Sequence, residues 1–525
     1  MDNIARINRS LHKQFGGRFC VAPAKRHLSL QGESDDWHAI VQAGQLAAEM
    51  LRGEGSVVND VRYTGEQPAA TRLPLAQDKS LDGQAPDVLV IGGGLVGCAI
   101  ARELARHNLD VVLLEKECDV AMHASSRNDG MVHPGLALKG KHTHSQRGNA
   151  MCKELCAELQ VPFKRQGHCL CVRGTKRRWS RQGIRAKRLG RRKLRRRLPN
   201  LHVAHKRGVY FSATGAVFSH SLAVAYAENA IENGARVHLN TAVTDIEVRD
   251  GAIAAVHTNR GTLRPKLVVN AAGVWSEDIA KLAQDHFFSV YARRSTYALL
   301  DAKHSKLMRH SVSTPGGAGA IRTVHGNLLL CAGAVGTANN EDYTIHAQDL
   351  HSLFGSRSEL SEAFHLEQGI AAFSGTHAAT FDGNPVLRRG LYTTNIIHAA
   401  AVSLAAAPAV AQDVAQWAAD TLQAAPNEDF NPQRQGIVHA AALNNLARSA
   451  LIRREPDYGI ILCRCAQISK GEILAAMRRP LPCDSLDGIK RRTRAGMGRC
   501  QGGFCCPQIA QVIAEERARR AMRSA

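Results

Sequence analysis

The sequence predicts an α/β protein with a nucleotide-binding core and smaller units at both ends of the chain. Residues 87–115 read as an apolar strand, a glycine-rich turn, an amphipathic helix and a second strand. Strands and helices then alternate to about residue 415, which is typical of a mixed sheet added to such a core. We divide the chain into four parts. They are an N-terminal module (1–66), a linker (67–86), a central domain (87–455) and a cysteine-rich C-terminal domain (456–525).

The N-terminal module shows its own alternation of elements. The stretch "HLSLQG" alternates as a strand, apolar residues recur at helical spacing from Trp37 to Leu51, and "SVVNDVRY" reads as a second strand. This order resembles the BON-type βαβ module. The preceding stretch, "MDNIARINRSLHKQF", is polar and lacks the apolar core of a signal sequence.

The composition indicates a folded, strongly basic protein. Hydrophobic residues make up 44% and charged residues 22%, and the net charge of +22 favours acidic partners or anionic substrates. Residues 176–197 hold 13 basic residues and no acid. We interpret this run as a solvated face, with attachment to an anionic membrane surface as the alternative. We do not expect binding to nucleic acid, because Trp179 is the run's one aromatic residue.

The cysteine content points to a reducing compartment. Fourteen cysteines in a long chain without a signal sequence indicate free, catalytic or metal-bound thiols rather than a disulfide framework. The longest apolar run, residues 396–411, is too short and too interrupted for a membrane span, and reads as a buried helix and its approach. We therefore expect a cytoplasmic protein.

The glycine turn of the central domain predicts a dinucleotide site. Gly92, Gly94 and Gly97 form G-x-G-x-x-G between a strand and a helix. The first permits the turn, the second lets a pyrophosphate approach the backbone, and the third lets helix and strand pack closely. Glu115 ends the next strand, where an acidic side chain binds ribose hydroxyls. These features together predict a Rossmann-type domain.

The stretch "AMHASSRNDGMVHPG" (121–135) resembles flavoproteins of the D-amino-acid oxidase and glycerol-3-phosphate dehydrogenase superfamily. The resemblance implies FAD, a Rossmann-type FAD-binding domain and an interleaved mixed-sheet substrate domain. It places a set of residues along the pyrophosphate and flavin, with His133 close to the flavin ring. That set is Ser125, Ser126, Arg127 and Gly130.

Two later segments extend the resemblance. In "VVNAAGVWSEDIA", a strand is followed by Ala272 and Gly273, which would approach the adenosine part of FAD. Val243, in "NTAVTDI", fits the position whose backbone contacts adenine in relatives. A flavin suits oxidation of an alcohol or an amine, because it accepts a hydride and releases electrons singly.

The C-terminal cysteines form two close pairs, Cys463 with Cys465 and Cys500 with Cys505. Four thiolates in two pairs suit a tetrahedral zinc ion or an iron–sulfur cluster, and the spacing leaves both open. The stretches "CRC" and "LDGIKRRTRAGMGRCQGGFC" resemble the BFD-like [2Fe–2S] domain found at the C-terminus of anaerobic glycerol-3-phosphate dehydrogenase large subunits. The resemblance implies a [2Fe–2S] cluster on those four cysteines, with Cys506 as a bystander.

Three residues are candidates for substrate chemistry. His133 is expected near the flavin ring, Arg322 in a strand region that faces substrate in the superfamily, and His377 where relatives often carry an arginine. An anionic substrate needs an arginine contact, which we assign to Arg322. Relatives also carry a glycine-rich loop over the flavin pyrimidine. Residues 398–414 have alanines there and are shorter, so we expect looser closure over FAD.

These expectations combine into an FAD-dependent dehydrogenase of the glycerol-3-phosphate dehydrogenase-like class. The small-molecule substrate would be an anionic alcohol, first of all glycerol 3-phosphate. Electrons would pass through FAD and the [2Fe–2S] cluster to a partner protein or a quinone. The enzyme would be cytoplasmic, with peripheral attachment to the inner face of the membrane as the alternative. One alternative is an amine or amino-acid dehydrogenase, and another is a redox subunit without chemistry of its own.

Overall fold

The computed structural model describes residues 2–51, 53, 55–68, 70–136, 143–172 and 177–524. No helix within these ranges has the length and apolar character needed to cross a membrane. The apolar run at 396–411 is divided between a buried strand, Ile396–Ala400, and the start of a helix, Ala407–Leu422. This agrees with the interpretation of that run as a buried helix and its approach.

The N-terminal module contains the expected strand, helix and strand, and adds a helix and a strand before them. Its helices are Asp2–Phe15 and Trp37–Leu51, and its strands are Phe19–Ala24, His27–Ser34, Val57–Asn59 and Arg62–Tyr63. The first helix was not expected from its polar composition. It forms because its few apolar residues recur three or four positions apart, so Ile7 and Leu11 become fully buried. The module's core also takes in Tyr291 and Phe381 of the central domain.

The linker contains no helix or strand among its described residues, but it is held against the central domain. Leu81 is buried in the core beneath the hairpin of residues 243–263. The Leu81 N–H donates to the Arg260 carbonyl at 2.9 Å, and the Gly83 N–H donates to Thr262 at 2.9 Å. The linker therefore has a fixed path along the hairpin.

A six-stranded sheet forms the centre of the nucleotide-binding half. Its strands, in spatial order, are Arg236–His238, Val111–Leu114, Val88–Ile91, Leu267–Asn270, Ile396–Ala400 and Val386–Arg389. The first five run parallel and the last is antiparallel. Val88–Ile91 and Leu267–Asn270 are buried along their whole length because both faces of the sheet are covered. This is the predicted Rossmann-type core.

Helices cover one face of that sheet and a small hairpin sheet covers the other. The hairpin strands are Val243–Arg249, Ala252–Thr258 and Gly261–Leu263. The helices of the central domain are Leu95–Leu104, Thr143–Glu158, Arg177–Arg181, Arg191–Arg197, Ser219–Glu232, Ser276–Leu282, Ala347–His351 and Ala407–Leu422. The longer ones share an apolar core with the central strands.

A second, eight-stranded sheet builds the interleaved half of the domain. Its strands, in spatial order, are Lys187–Gly190, Arg207–Phe211, His168–Leu170, Ser311–Ser313, Ala318–Arg322, Leu328–Thr337, Tyr291–Leu300 and Gly369–Ala379. A three-stranded sheet joins the two halves, with strands Met131–Val132, Gly215–Val217 and Phe163–Arg165. One face of the eight-stranded sheet packs on an outer core that contains Leu328 and Leu330. The opposite face, which we call the cleft face, looks toward the segment that contains Arg127.

The C-terminal domain is small and mostly helical. Its helices are Asn445–Arg454, Lys470–Met477, Leu486–Thr493 and Cys506–Ser524, and its strands are Ile461–Cys463 and Ile468–Ser469. Leu451 packs with Tyr458, and Tyr458 in turn lies against Gly471. The helix Asn445–Arg454 therefore packs with this domain rather than with the central one. The C-terminal domain thus begins before the boundary that was expected between residues 455 and 456.

Ion pairs join the C-terminal domain to the central domain. Asp119, whose side chain is 4% exposed, accepts from Arg492 at 2.8 and 3.0 Å and from Arg491 at 2.8 Å. Burial opposes ionisation of Asp119, but the two guanidiniums outweigh it and lower the pKa of its carboxyl. Glu228 of the central domain likewise binds Arg479 at 2.8 Å.

Candidate functional site

The glycine turn is closed by direct backbone contact between three segments. Gly92 has φ of +108°, and a Cβ there would lie 2.6 Å from the Ala271 carbonyl oxygen. A Cβ on Gly97 would overlap the Gly92 carbonyl. Gly94 differs, because the nearest atom to its position for a Cβ is Ser125 Oγ at 3.5 Å. Gly92 and Gly97 are thus required for packing, whereas Gly94 borders open space at the N-terminus of the helix Leu95–Leu104.

Glu115 lies at the carboxyl end of the neighbouring strand, beneath this turn. Its two carboxylate oxygens accept from the Gly93 N–H at 2.7 Å and the Glu117 N–H at 2.9 Å. Burial raises the pKa of its carboxyl. The Thr241 N–H donates to the Glu115 carbonyl at 2.8 Å, which brings the start of the hairpin, Val243, to the same edge. This arrangement can receive a ribose and an adenine from the two sides of one strand end.

Residues 124–130 lie across the open side of the glycine turn. The Ser125 hydroxyl accepts from the Leu95 N–H at 2.8 Å, and Ser126 donates to the Met122 carbonyl at 3.1 Å. Gly130 closes the segment against Val217, whose N–H donates to the Gly130 carbonyl at 3.0 Å. The four residues expected along the pyrophosphate and flavin are therefore brought together at the turn.

Arg127 connects this segment to the cleft face of the eight-stranded sheet. It donates to the Ser374 carbonyl at 3.2 Å, and its guanidinium lies 4.3 Å from the centre of the Tyr343 ring. Its Nε is buried without a hydrogen-bond partner in the described part of the chain. A buried donor of this kind requires an acceptor. The open space at Gly94 and the orphan donor of Arg127 fit an anionic dinucleotide such as FAD.

Ala272 and Gly273 follow the strand Leu267–Asn270 and begin a short 3₁₀ turn, Gly273–Trp275. The Ala272 Cα would lie 3.0 Å from a Cβ on Gly92, so this segment forms the second wall of the glycine turn. Val243, Ala272 and Gly273 thus lie at the same carboxyl edge of the central sheet as Glu115. The structure brings together all the residues expected around the dinucleotide.

His133 directly follows the strand Met131–Val132, and the structure adds a neighbour that the sequence did not reveal. The Gly135 N–H donates to His133 Nδ1 at 3.1 Å. His168 is fully buried, and both of its ring nitrogens lack a hydrogen-bond partner among the described residues. Burial and then the charge of His133 lower the pKa of His168 to about 3. In sequence His168 lies in an apolar strand, "HCLCV", and gives no signal of its own.

His377 also lies on the cleft face, beside an arginine that the sequence analysis missed. A Cβ on Gly375 would overlap the Arg127 backbone, so this face of the strand Gly369–Ala379 looks toward the dinucleotide segment. His377 is two residues further along the strand and directly opposite Arg293. Burial and the adjacent Arg293 lower the pKa of His377 to about 4. Alternation in "YARRSTYALL" would have placed Arg293 and Arg294 on opposite faces.

Arg322 lies on the other face of the sheet, away from the cleft. It is directly opposite Leu328, which belongs to the outer core. Its guanidinium donates to the Ser305 carbonyl at 2.6 Å and the Met308 carbonyl at 2.9 Å. The expectation that Arg322 contacts substrate is therefore wrong in this structure. The strand was identified correctly, but its register turns that side chain outward.

The alanine-rich segment after the strand Ile396–Ala400 keeps a conformation that favours glycine. Ala401 has φ of +55°. A left-handed conformation costs an alanine about 1 kcal/mol relative to its usual backbone regions. The strand itself is held in place by His398, which bonds Asp285 at 2.8 Å and Asn270 at 3.1 Å. The strand therefore ends in a left-handed turn that is built with an alanine, and looser closure over FAD stays a prediction.

The four C-terminal cysteines gather in two pairs drawn from both ends of the domain. Cys465 Sγ lies 3.6 Å from Cys500 Sγ, and Cys463 contacts Cys505. Backbone N–H groups, from Phe504 and then Gly502, lower the pKa of the Cys500 thiol. A Cβ on Gly498 would overlap Cys465, which explains a glycine at that position.

The spacing of the sulfurs distinguishes two kinds of site. A tetrahedral zinc site with Zn–S distances of about 2.3 Å needs all four sulfurs within about 4 Å of one another. Among the described residues, no three cysteines come within 4.8 Å; the one group that does is Glu117, His123 and Glu341. Two separated pairs suit a binuclear [2Fe–2S] cluster, with one pair for each iron. Cys483 is a core residue whose Sγ faces the Ala476 carbonyl.

Comparison with known proteins agrees with both halves of this site. Residues 87–417 match the family model of FAD dependent oxidoreductases, and residues 461–515 match that of the BFD-like [2Fe-2S] binding domain. A glycerol 3-phosphate dehydrogenase of Caloramator mitchellensis is 32% identical over 82% of this chain and 94% of its own length. One of the subunits of the anaerobic glycerol-3-phosphate dehydrogenase of Escherichia coli is 24% identical over 83% of this chain and 89% of its own length.

The fold also matches a solved structure. The glycerol-3-phosphate dehydrogenase of Bacillus halodurans, complexed with FAD, superposes with a TM-score of 0.61 and 17% identity. The match covers 83% of this chain and 91% of that one.

Gly94→Val should abolish FAD binding. The new side chain would fill the open space at the helix N-terminus, where a pyrophosphate approaches the backbone. We expect the purified variant to carry less than about a tenth of the wild-type flavin, measured by absorbance at 450 nm per protein.

Gly190→Val is a matched control. Gly190 also caps a helix, with φ of −79° against −73° for Gly94, and nothing lies within 4 Å of its Cβ position. It should retain full flavin content. Unchanged flavin in the Gly94 variant, with normal folding by circular dichroism, would place the dinucleotide elsewhere.

Replacing Cys463, Cys465, Cys500 or Cys505 singly with Ser should remove the EPR signal of the reduced cluster and leave the flavin bound. A hydroxyl is a poor ligand for iron, and the flavin is held by other residues. Cys506→Ser and Cys483→Ser are the controls and should keep the signal. If the EPR signal is lost in the Cys506 variant and kept in the Cys505 variant, Cys506 is the cluster ligand and Cys505 is not.

Proposed function

Because this chain belongs to the FAD-dependent oxidoreductase family and carries a BFD-like [2Fe-2S] domain, we propose that it is a dehydrogenase that oxidises glycerol 3-phosphate and passes the electrons to an acceptor. When bound, FAD supplies hydride acceptance and single-electron release. The observation that carries the proposal is the cysteine-rich domain joined by buried ion pairs to the dinucleotide domain. An oxidase that transfers electrons directly to oxygen needs no such domain.

Arg293 is the side chain that we propose for holding an anionic substrate. It lies on the cleft face, and its guanidinium makes one weak contact, to the Ala334 carbonyl at 3.4 Å. No carboxylate within the described residues pairs with it. Its neighbour Arg294, on the opposite face, is paired with Asp349 at 2.9 Å. An arginine without an acid in a half-buried cleft favours a phosphate or a carboxylate.

His133 offers a hydrogen-bond donor to the substrate hydroxyl. Because His133 Nδ1 accepts the Gly135 N–H, the neutral imidazole carries its proton on Nε2 and acts as a donor. His168 is fully buried, and burial keeps its ring neutral at physiological pH, so it adds no charge beside His133. We therefore propose that His133 orients the substrate oxygen through its Nε2–H.

Glycerol 3-phosphate should bleach the 450 nm flavin band under anaerobic conditions. In Arg293→Gln, KM should rise about 10- to 100-fold with a smaller change in kcat, because a charge-assisted contact of about 1.5–3 kcal/mol is made equally in ground and transition states. Steady-state kinetics with an artificial electron acceptor measure both constants.

Arg249→Gln, an exposed arginine on the hairpin, serves as the control and should leave KM unchanged. If KM rises in Arg322→Gln and not in Arg293→Gln, Arg322 contacts the anionic substrate, as the sequence first suggested. If an amino acid or a secondary amine bleaches the flavin band and glycerol 3-phosphate does not, the protein is an amine or amino-acid dehydrogenase instead. A flavin that no substrate bleaches, while dithionite reduces it and the cluster, would indicate a redox subunit.

We also propose that the acceptor is a membrane quinone or a membrane-bound partner, reached through the basic segment of residues 177–197. The helix Arg191–Arg197 is anchored by Leu194, which is fully buried, and exposes Arg191, Arg192 and Lys193. The strand Lys187–Gly190 forms one edge of the eight-stranded sheet. Each exposed basic residue near an anionic bilayer contributes about 1 kcal/mol of attraction.

The triple variant Arg191→Gln, Arg192→Gln, Lys193→Gln should lose cosedimentation with phosphatidylcholine vesicles containing phosphatidylglycerol. Binding should also fall with added salt, because the attraction is screened. The control triple, Arg6→Gln, Arg9→Gln and Lys13→Gln, removes the same charge from the helix Asp2–Phe15. Equal binding of both triples, or no binding by the wild type, would contradict the proposal.

A further inference from the structure

A cavity of about 60 Å³ lies between the central domain and the C-terminal domain, apart from the cleft. Four arginines and two histidines line it, and no acidic residue does so in the described part of the chain. The arginines are Arg434, Arg491, Arg492 and Arg494, and the histidines are His325 and His439. Such a cavity repels cations and attracts anions.

Most of these cations already have acidic partners behind the cavity wall. Arg491 and Arg492 share Asp119, Arg434 binds Glu228 at 2.6 Å, and His439 bonds Glu472 at 3.0 Å. Glu228 is itself shared with Arg479. Asp119 and Glu228 thus each serve two guanidiniums, so the wall keeps an excess of positive charge.

Arg494 is the exception, because its guanidinium makes no hydrogen bond or ion pair within the described residues, and its Nε is shielded from solvent. Burial lowers its pKa, which reports the cost of an uncompensated cation there. His325 lies across the cavity, and burial followed by the charges of Arg494 and His439 lowers its pKa to about 3. The Nε of Arg491 is also buried and lacks a partner among those residues.

We infer that this cavity is a binding site for a small phosphate anion, held by Arg494 and Arg491, between the dinucleotide domain and the cluster domain. Planar guanidiniums match the oxygens of a phosphate in pairs, and a cavity of this size accommodates a phosphate group. Arg494 also lies within electrostatic range of the cluster ligand Cys463. A bound anion therefore offsets the positive charge beside the cluster and makes its reduction less favourable.

The first test is binding of inorganic phosphate to the complete protein with its cofactors, measured by calorimetry at constant ionic strength in chloride. Arg494→Gln should raise Kd at least about tenfold, since it removes one charge-assisted contact. Arg499→Gln is the charge-matched control. It lies beside Cys500 in the same domain but is 68% exposed and pairs with Asp301 outside the cavity, so its Kd should stay within twofold. Equal Kd in the wild type and the Arg494 variant, or no binding at millimolar phosphate, would overturn the inference.

Two further readouts separate a ligand site from a structural role. Without phosphate, Arg494→Gln should not lower Tm, because no bond is lost; with phosphate, Tm should rise in the wild type alone. The midpoint potential of the cluster, from an EPR-monitored titration, should fall when phosphate is added to the wild type and stay constant in the variant. A lower Tm in phosphate-free buffer, or an equal potential shift in both proteins, would contradict the inference.

The source of the phosphate group is resolved by comparing ligands. Tighter binding of inorganic phosphate would identify free phosphate, and tighter binding of glycerol 2-phosphate would identify a phosphomonoester; either result supports the site. None of these measurements involves turnover, so they do not depend on whether glycerol 3-phosphate is the substrate.

Discussion

The buried ion pair between Asp119 and Arg492 holds the two redox parts of this protein together. Asp119 follows the second strand of the nucleotide-binding sheet, and the neighbouring Ala121 N–H donates to the Gly93 carbonyl of the glycine turn at 2.9 Å. Arg492 lies in the helix Leu486–Thr493 of the cluster domain. Removing one partner of such a buried pair costs about 3–5 kcal/mol, because the other charge remains desolvated. The loop beside the dinucleotide is therefore also the attachment point of the cluster domain.

The predicted dinucleotide site consists largely of backbone, and its glycine turn could be recognised from the sequence. Gly92 and Gly97 are required because any Cβ would meet a backbone carbonyl of the same turn or of the neighbouring strand. Ser125 and Glu115 meet the turn through N–H groups of residues 95 and 93. The glycine turn itself is one short segment whose spacing can be read from the sequence, whereas its contacts with Ala271 and Ser125 join segments that are distant in sequence. The cysteines combine both cases: their close spacing in the sequence marks two short stretches, and the fold pairs Cys465 with Cys500 and Cys463 with Cys505 across those stretches.

The cleft is different, because its side chains come from strands that are distant in sequence. Arg293 and His377 are 84 residues apart and become neighbours only through strand pairing. His168, in the strand His168–Leu170, comes close to His133 only in the folded protein. Nothing in "HCLCV" distinguishes it from a core residue. Arg322 shows the converse. Its strand belongs to the same sheet, but a side chain on a strand faces one side or the other, and the register directs this one outward.

The sequence alone determined the α/β class and the strand–glycine–helix–strand unit, and it showed the close spacing of the C-terminal cysteines, because each depends on periodicity or spacing within one segment. It also resolved the helix Trp37–Leu51 by the spacing of its apolar residues. The tertiary structure decided which arginine faces the cleft, how the cluster domain is attached, and that a basic cavity lies between the domains. Those features arise from strand register and from packing between segments hundreds of residues apart, which local pattern does not encode.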